Sequence, residues 1–234
     1  MRQRGRPGLL RDQAGSGQKE EAPPTAEPET TAPQTVYWTL DVQDAQVILR
    51  DGTAPKTVDL VLRRDGEETV ARTLKLGSGY GAAEDIRAWT FQDVLGSGGF
   101  VLWTGWSGWR IRRYFTIEGN TLVQIAESFG GEDYSVDLDG DGVKELVSNV
   151  VYGGDGHASV FVYQRREDGI WRGRLNWGDL PGHDNWGVNS TWEEYDPVEN
   201  VFRIHYTVKD REEPGVLESS GLTNITFKPF EAAP

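Results

Sequence analysis

From Val36 onward, apolar and polar residues alternate with a period of two. Val36-Tyr37-Trp38-Thr39-Leu40-Asp41-Val42 is β-branched and aromatic and reads as a strand. Residues 46–50 follow, and Asp51-Gly52 marks a turn. Within 57–63, Val58, Leu60 and Leu62 share one face. Arg64-Asp65-Gly66 then reverses the chain into 68–76, the second arm of a hairpin. The same grammar predicts strands at 87–94, 100–104, 109–117, 121–127, 134–136, 146–152, 158–165, 170–175, 187–195, 201–208 and 222–229. Residues 82–86 suit a single helical turn, and no segment has the period of a longer helix.

About fourteen short strands with turn signals every 8 to 12 residues or so define an all-β, mostly antiparallel chain. A weak repeat refines this. Asp93-Val94-Leu95-Gly96-Ser97-Gly98 matches Asp137-Leu138-Asp139-Gly140-Asp141-Gly142 at a spacing of 44, and each is followed by an apolar strand. Trp109-Arg110-Ile111-Arg112-Arg113 has a counterpart in Trp171-Arg172-Gly173-Arg174. The earlier copy is expected to make the same turn without a metal. A period of this length holding four strands predicts an incomplete propeller-like array of short sheets, with a β-sandwich as the alternative.

The alternation begins only after residue 35. Residues 13–34 are Gly/Ser-rich, then Pro/Glu/Thr/Ala-rich, and too poor in apolar side chains to offset the entropy of ordering. We expect residues 1–35 to form a disordered tail or linker, and residues 36–232 a single all-β domain. Arg2, Arg4 and Arg6 resemble the charged start of an export signal, but only Leu9 and Leu10 follow, so a clipped or mis-started signal is expected, with a basic cytosolic tail as the alternative.

Composition removes several functions. The formal charge of −13, without basic runs, makes the chain a poor candidate for binding nucleic acid or anionic membranes, and no nucleic-acid partner is expected. With no cysteine there are no disulfides, thiolate metal sites or Cys nucleophiles. No apolar run is long enough for a transmembrane helix.

The sharpest chemical signal is Asp137-Leu138-Asp139-Gly140-Asp141-Gly142-Val143-Lys144-Glu145. Carboxylates stand at loop positions 1, 3, 5 and 9, a backbone carbonyl is available at Val143, and Gly142 occupies position 6. Hard oxygens at alternate positions around a glycine turn suit Ca²⁺, and a divalent cation relieves the mutual repulsion of four carboxylates. An EF-hand needs flanking helices and a Glu at position 12. Here the flanks read as strands and position 12 is Ser148. The segment from Asp137 to Val147 instead resembles the calcium loop of FG-GAP and VCBS-type repeats, found in integrin-like β-propellers and bacterial surface proteins. That resemblance implies Ca²⁺ ligation by Asp137, Asp139, Asp141, Val143 and Glu145 in a loop between two strands of one blade. Glu145 replaces the more usual Asp. One intact copy is present where such families carry several in series.

Other candidates are weaker. Trp103, Trp106 and Trp109 surround a glycine turn and form a candidate ligand face. Trp177, Trp186 and Trp192 cluster later. His157 with Asp155, His183 with Asp184, and the pair Glu193-Glu194 are the groups available for acid–base chemistry. His205 completes the histidines. There is no nucleophile elbow and no phosphate loop. The expectation is a monomeric, non-enzymatic, extracytoplasmic or envelope-associated module, stabilised by Ca²⁺, that binds a protein or a polysaccharide. A glycan hydrolase with an acidic, Trp-lined cleft is the alternative function, and the cytoplasm the alternative location.

Overall fold

Strand alternation organises the chain into consecutive antiparallel meanders. The computed structural model describes residues 34–77, 80–106, 109–151, 158–176, 188–208 and 215–232. Contacts divide the chain into Met1–Pro33 and Gln34–Pro234, and every element named below belongs to the second unit. The expected tail thus lies, up to Pro33, outside the described residues.

The first sheet, A, contains β1 (Val36–Val42), β2 (Ala45–Asp51), β3 (Thr57–Arg64) and β4 (Glu67–Lys75) in sequence order. Asp65 and Gly66, which join β3 to β4, both have positive φ. A two-residue hairpin of this hand matches the twist of the strands it joins. A 3-10 turn, Ala83–Asp85, then leads into a ribbon of eight strands ordered β15-β11-β10-β9-β8-β7-β6-β5. Its members are β5 (Arg87–Val94), β6 (Ser97–Trp106), β7 (Trp109–Glu118), β8 (Thr121–Val136), β9 (Glu145–Val151), β10 (Ala158–Arg166), β11 (Gly169–Leu175) and β15 (Ile225–Pro229). The last sheet, D, orders β12 (Val188–Asp196), β13 (Val201–Val208) and β14 (Gly215–Ser220).

The ribbon is not flat. Arg165, at the end of β10, donates from Nε to the carbonyl of Leu95, in the β5–β6 turn, over 2.7 Å. Five strand spacings separate β10 from β5, about 24 Å in a flat sheet. The ribbon therefore folds over on itself, and β8 is the crease. The first part of β8 pairs with β7 through Phe129, and the second pairs with β9 from Gly130 onward, with a register shift between Gly130 and Asp133. We name the two halves sheet B (β5–β7 with the start of β8) and sheet C (the end of β8 with β9, β10, β11 and β15).

Glycine makes the crease. Gly130 has a φ of 77°. A Cβ on Gly131 would lie 1.4 Å from the carbonyl oxygen of Asn149. Beside it, Asp133 Oδ2 accepts hydrogen bonds from Tyr114 Oη (2.5 Å) and Ser128 Oγ (2.8 Å) and pairs with Arg112 Nε at 3.0 Å. Burial and the Asp133 carboxylate push the Tyr114 phenol well above its ordinary range, so it stays neutral and remains a donor.

Four sheets stack face on face, with one apolar layer in each gap. Between A and B lie Val47, Leu49, Val58, Leu60 and Leu62 against Phe100, Leu102, Phe115 and Ile117. Between B and C lie Val101, Tyr114 and Ile125 against Leu146, Phe161 and Tyr163. Between C and D lie Val147, Val160 and Val162 against Tyr195, Phe202 and Ile204. The alternation in β10 shows the logic: Val160 and Val162 face D, while Phe161 and Tyr163 face B. Each fully buried side chain of this size contributes about 1.5–3 kcal/mol. The chain is all-β and antiparallel, an array of short sheets with none closed into a barrel.

The two end faces of the stack carry ionic networks. On the face of A turned away from B, Glu68 bridges Arg50 at 2.7 Å and Arg63 at 2.5 Å. On the face of D turned away from C, Arg203 pairs with Asp196 at 2.7 Å and Glu218 at 2.8 Å, and with Glu199. The Asp196 carboxyl is held below its ordinary range, chiefly by its hydrogen bond from Arg203.

Several sequence expectations are corrected. The strands expected at 121–127 and 134–136 are one strand of 16 residues, because the glycine pair between them bends β8 without ending it. A strand at Gly215–Ser220 was not expected, and the last strand, expected at 222–229, begins at Ile225 and pairs with β11. The two repeat segments differ in structure. Asp93 lies within β5, and Asp137 follows the last residue of β8. Val94 pairs with Ser97, so Leu95-Gly96 is a tight two-residue turn and not a metal-free copy of the loop. The two Trp-Arg segments fall on β7 and β11, the third strand of B and the fourth of C, so they are not equivalent.

Candidate metal centre

The acidic loop connects β8 to β9, both antiparallel strands of sheet C. Its own carboxylates wind it. Asp137 accepts from the backbone N–H of Gly140 (Oδ1, 2.7 Å) and of Gly142 (Oδ2, 3.0 Å). Asp139 Oδ1 accepts from Asp141 N–H at 3.2 Å, and Asp141 Oδ1 from Val143 N–H at 2.7 Å. Such bonds to N–H groups a few residues on are the reason Asp and Asn dominate tight turns. Gly140 and Gly142, at φ 79° and 87°, supply the left-handed positions.

Glu145, the first residue of β9, is fully buried, and its Oε2 accepts from Leu138 N–H at 2.8 Å. That bond ties the two ends of the loop together. Sheets B and C brace it from outside. Gln164 Nε2, on β10, donates to Asp139 Oδ2 at 2.9 Å. Leu95 N–H donates to the carbonyl of Lys144 at 3.0 Å, and Lys144 Nζ pairs with Asp93 Oδ2 at 3.0 Å.

Asp137, Asp139 and Glu145 converge, offering carboxylate oxygens within 4.8 Å of one another. Asp141 stands outside this triad and spends one oxygen on the turn. Burial pushes the Glu145 carboxyl up to about 7, and the charges of Asp139 and Asp141 push the same way. The donor set is all oxygen and strongly anionic, which fits a hard divalent cation; Ca²⁺ takes 6–8 such ligands at 2.3–2.6 Å.

The remaining candidates fall elsewhere. Trp103 is half-buried on the C-facing side of sheet B, while the side chains of Trp106 and Trp109 lie outside the described residues. His157, His183, Trp177 and Trp186 also lie outside them. His205 Nε2 is 2.9 Å from Glu194 Oε1, and its ring packs on Trp192 with centroids 4.6 Å apart. Glu193 and Glu194 point to opposite faces of β12: Glu193 is fully buried towards sheet C, and Glu194 lies on the opposite face. They do not form a catalytic pair.

Sequence reasoning missed the role of Glu193. Its Oε2 accepts from Val160 N–H at 2.7 Å, and its Oε1 has no partner among the described residues. Burial pushes its carboxyl up to about 7, despite the hydrogen bond from Val160 and the nearby charge of Arg174. A folded-state value above the unfolded one means that the folded chain holds the proton more tightly. The associated stability is therefore present in full below about pH 4.3 and lost as pH rises through 7. Glu193→Gln is expected to abolish this loss. Between pH 4.5 and 7.5, urea titrations should show the variant gaining about 3 kcal/mol relative to the parent. An unchanged difference across that range refutes the assignment.

Comparison with protein-family models, curated proteins and solved structures gives no match. Among the described residues, no helix is long and apolar enough to cross a membrane.

Proposed function

We propose that this chain is a calcium-stabilised, extracytoplasmic β module with a binding role and no catalytic one. The observation that carries the reading is the convergence of Asp137, Asp139 and Glu145, one of them fully buried, at the end of a two-strand loop. Three carboxylates gathered this closely repel one another, and Ca²⁺ converts that repulsion into ligation. The resemblance of the loop to FG-GAP and VCBS-type repeats supports the same ion, with Asp141 and the Val143 carbonyl as further ligands.

The ion's role is structural. The loop packs against the β5–β6 turn and is tied to β10, so fixing it fixes the contact between sheets B and C. Millimolar Ca²⁺ is an extracellular commodity, and that availability supports a location outside the cytoplasm or at the cell envelope. Its partner is a protein or a polysaccharide. Isothermal titration tests the metal: one Ca²⁺ per chain is expected, with Mg²⁺ far weaker because it demands stricter octahedral geometry. No heat of binding for Ca²⁺ in the parent, or equal heat in Asp139→Asn, overturns the reading.

A further inference from the structure

Strand β5 is the free edge of sheet B, and its residues alternate between two gaps. Ala88, paired with Leu102, faces sheet A. Arg87, paired with Trp103, and Trp89, paired with Val101, lie on the opposite face. Sheet C covers that face at Val101 and Phe91. Trp89 remains 43% exposed and Trp103 half-buried.

The two indoles line a cleft of about 470 Å³ together with Asp85, Arg87 and Gly105. Its size is in the range of small-ligand sites. Gly105 leaves part of it open: a Cβ there would meet only Trp103 Cη2, at 3.8 Å. Arg87 donates to the carbonyls of Glu84 and Ile86 from a single nitrogen, Nη1. Among the described residues it forms no ion pair, and the Asp85 carboxylate accepts no hydrogen bond. The cleft therefore combines two aromatic faces, a guanidinium with donors to spare and a free carboxylate.

We infer that this cleft is a saccharide site for a neutral, hydroxyl-rich glycan segment. The inference rests on the proposed reading of the chain as a binding module and names its ligand class. Pyranose rings present an apolar C–H face, which an indole covers, and a rim of hydroxyls that both donate and accept. Asp85 accepts from those hydroxyls and Arg87 donates to them. One positive and one negative group leave the cleft close to neutral, which suits an uncharged sugar better than a uronate. A nucleic acid is disfavoured by Asp85 and by the charge of −13. A lipid chain has no use for the two charges.

The test is isothermal titration of the full chain, in Ca²⁺, with neutral hexasaccharides of glucose, xylose and mannose. A galacturonate hexamer and a proline-rich decapeptide serve as competing classes. At least one neutral hexasaccharide is expected to bind. Trp89→Ala should weaken it about tenfold or more, as expected for an aromatic anchor. Arg87→Ala should weaken it less, and Trp192→Ala, on sheet D, should leave it unchanged. Failure of all three neutral glycans overturns the inference, as does binding of the uronate or the peptide alone, or binding that Trp89→Ala does not alter. Trp89→Ala must keep the Ca²⁺-dependent rise in melting temperature. A variant that keeps that rise in a chain blind to sugars separates failure of this site from failure of the metal reading.

Discussion

Calcium at a hundredfold excess over its dissociation constant is expected to raise the melting temperature of this chain by about 5–10 °C. The gain from a ligand that binds only the folded state is about 2.7 kcal/mol at that excess. In a domain of this size each kcal/mol shifts the midpoint by about 2–4 °C. The physical source is the triad: Asp137, Asp139 and Glu145 hold their oxygens within 4.8 Å, and Glu145 does so without solvent. Two variants give the prediction a sign as well as a size. Glu145→Gln removes a buried charge, so without Ca²⁺ at pH 7.5 it should melt higher than the parent. With Ca²⁺ it should lose most of the gain. Asp139→Asn keeps an acceptor for Asp141 N–H while removing a ligand charge, and should likewise lose most of the gain. Differential scanning calorimetry with and without chelator reads all three chains. A parent chain that melts at the same temperature in both buffers would falsify the metal centre.

Gly131→Ala is expected to be the most damaging single-methyl change among the described residues. Its Cβ would fall 1.4 Å from the carbonyl oxygen of Asn149, a backbone atom that moves only if β9 moves. Sheet C and sheet B share β8, so the strain reaches two cores at once. A loss of about 3–5 kcal/mol in urea unfolding is expected, in the range reserved for overpacked or strained cores. Gly140→Ala is the control: its Cβ would meet nothing within 4 Å, and only its φ of 79° penalises it. That substitution should cost about 1 kcal/mol. Equal losses for the two would show that backbone conformation, and not close approach, governs the crease.

The strands were legible because each signal for them is local. Period-two alternation and Asx-Gly turns act over a few residues, so β1 to β5 and β7 appear in the sequence nearly at their true bounds, whereas β6, expected at 100–104, runs from Ser97 to Trp106 through its glycines. What escaped depends on distant partners. Gly130-Gly131 looks like a break until Asn149 is seen to need the space. Strand β14 follows a charged, proline-containing stretch and alternates between weakly buried and exposed positions, so its apolar signal is faint. Strand β15 joins β11 across fifty residues, a choice no local pattern encodes.

The metal centre divides the same way. Asp137, Asp139 and Glu145 were readable because one loop carries all three. Gln164 and the Asp93–Lys144 pair were not, since they arrive from other strands. The aromatic cleft was half read. Trp103 was singled out for its neighbours in sequence, yet its partner in space is Trp89, two residues along β5 from Arg87, the residue paired with Trp103. The spacing Asp85, Arg87, Trp89 is the trace that an edge strand with a polar, aromatic face leaves behind.

The ionic networks on the two outward sheet faces bear on how such an array ends. A stack built by laying sheet on sheet has no intrinsic stopping point, since every new sheet offers a fresh face to the next. Arg50, Arg63 and Glu68 at one end, and Arg203 with its three carboxylates at the other, make further stacking expensive, because each pair would have to shed water to admit an apolar neighbour. They act as terminators in the manner of the polar end repeats of solenoids. Removing the charges from one end should convert a finite pile into a self-associating one, the behaviour of a polymer that has lost its chain stopper.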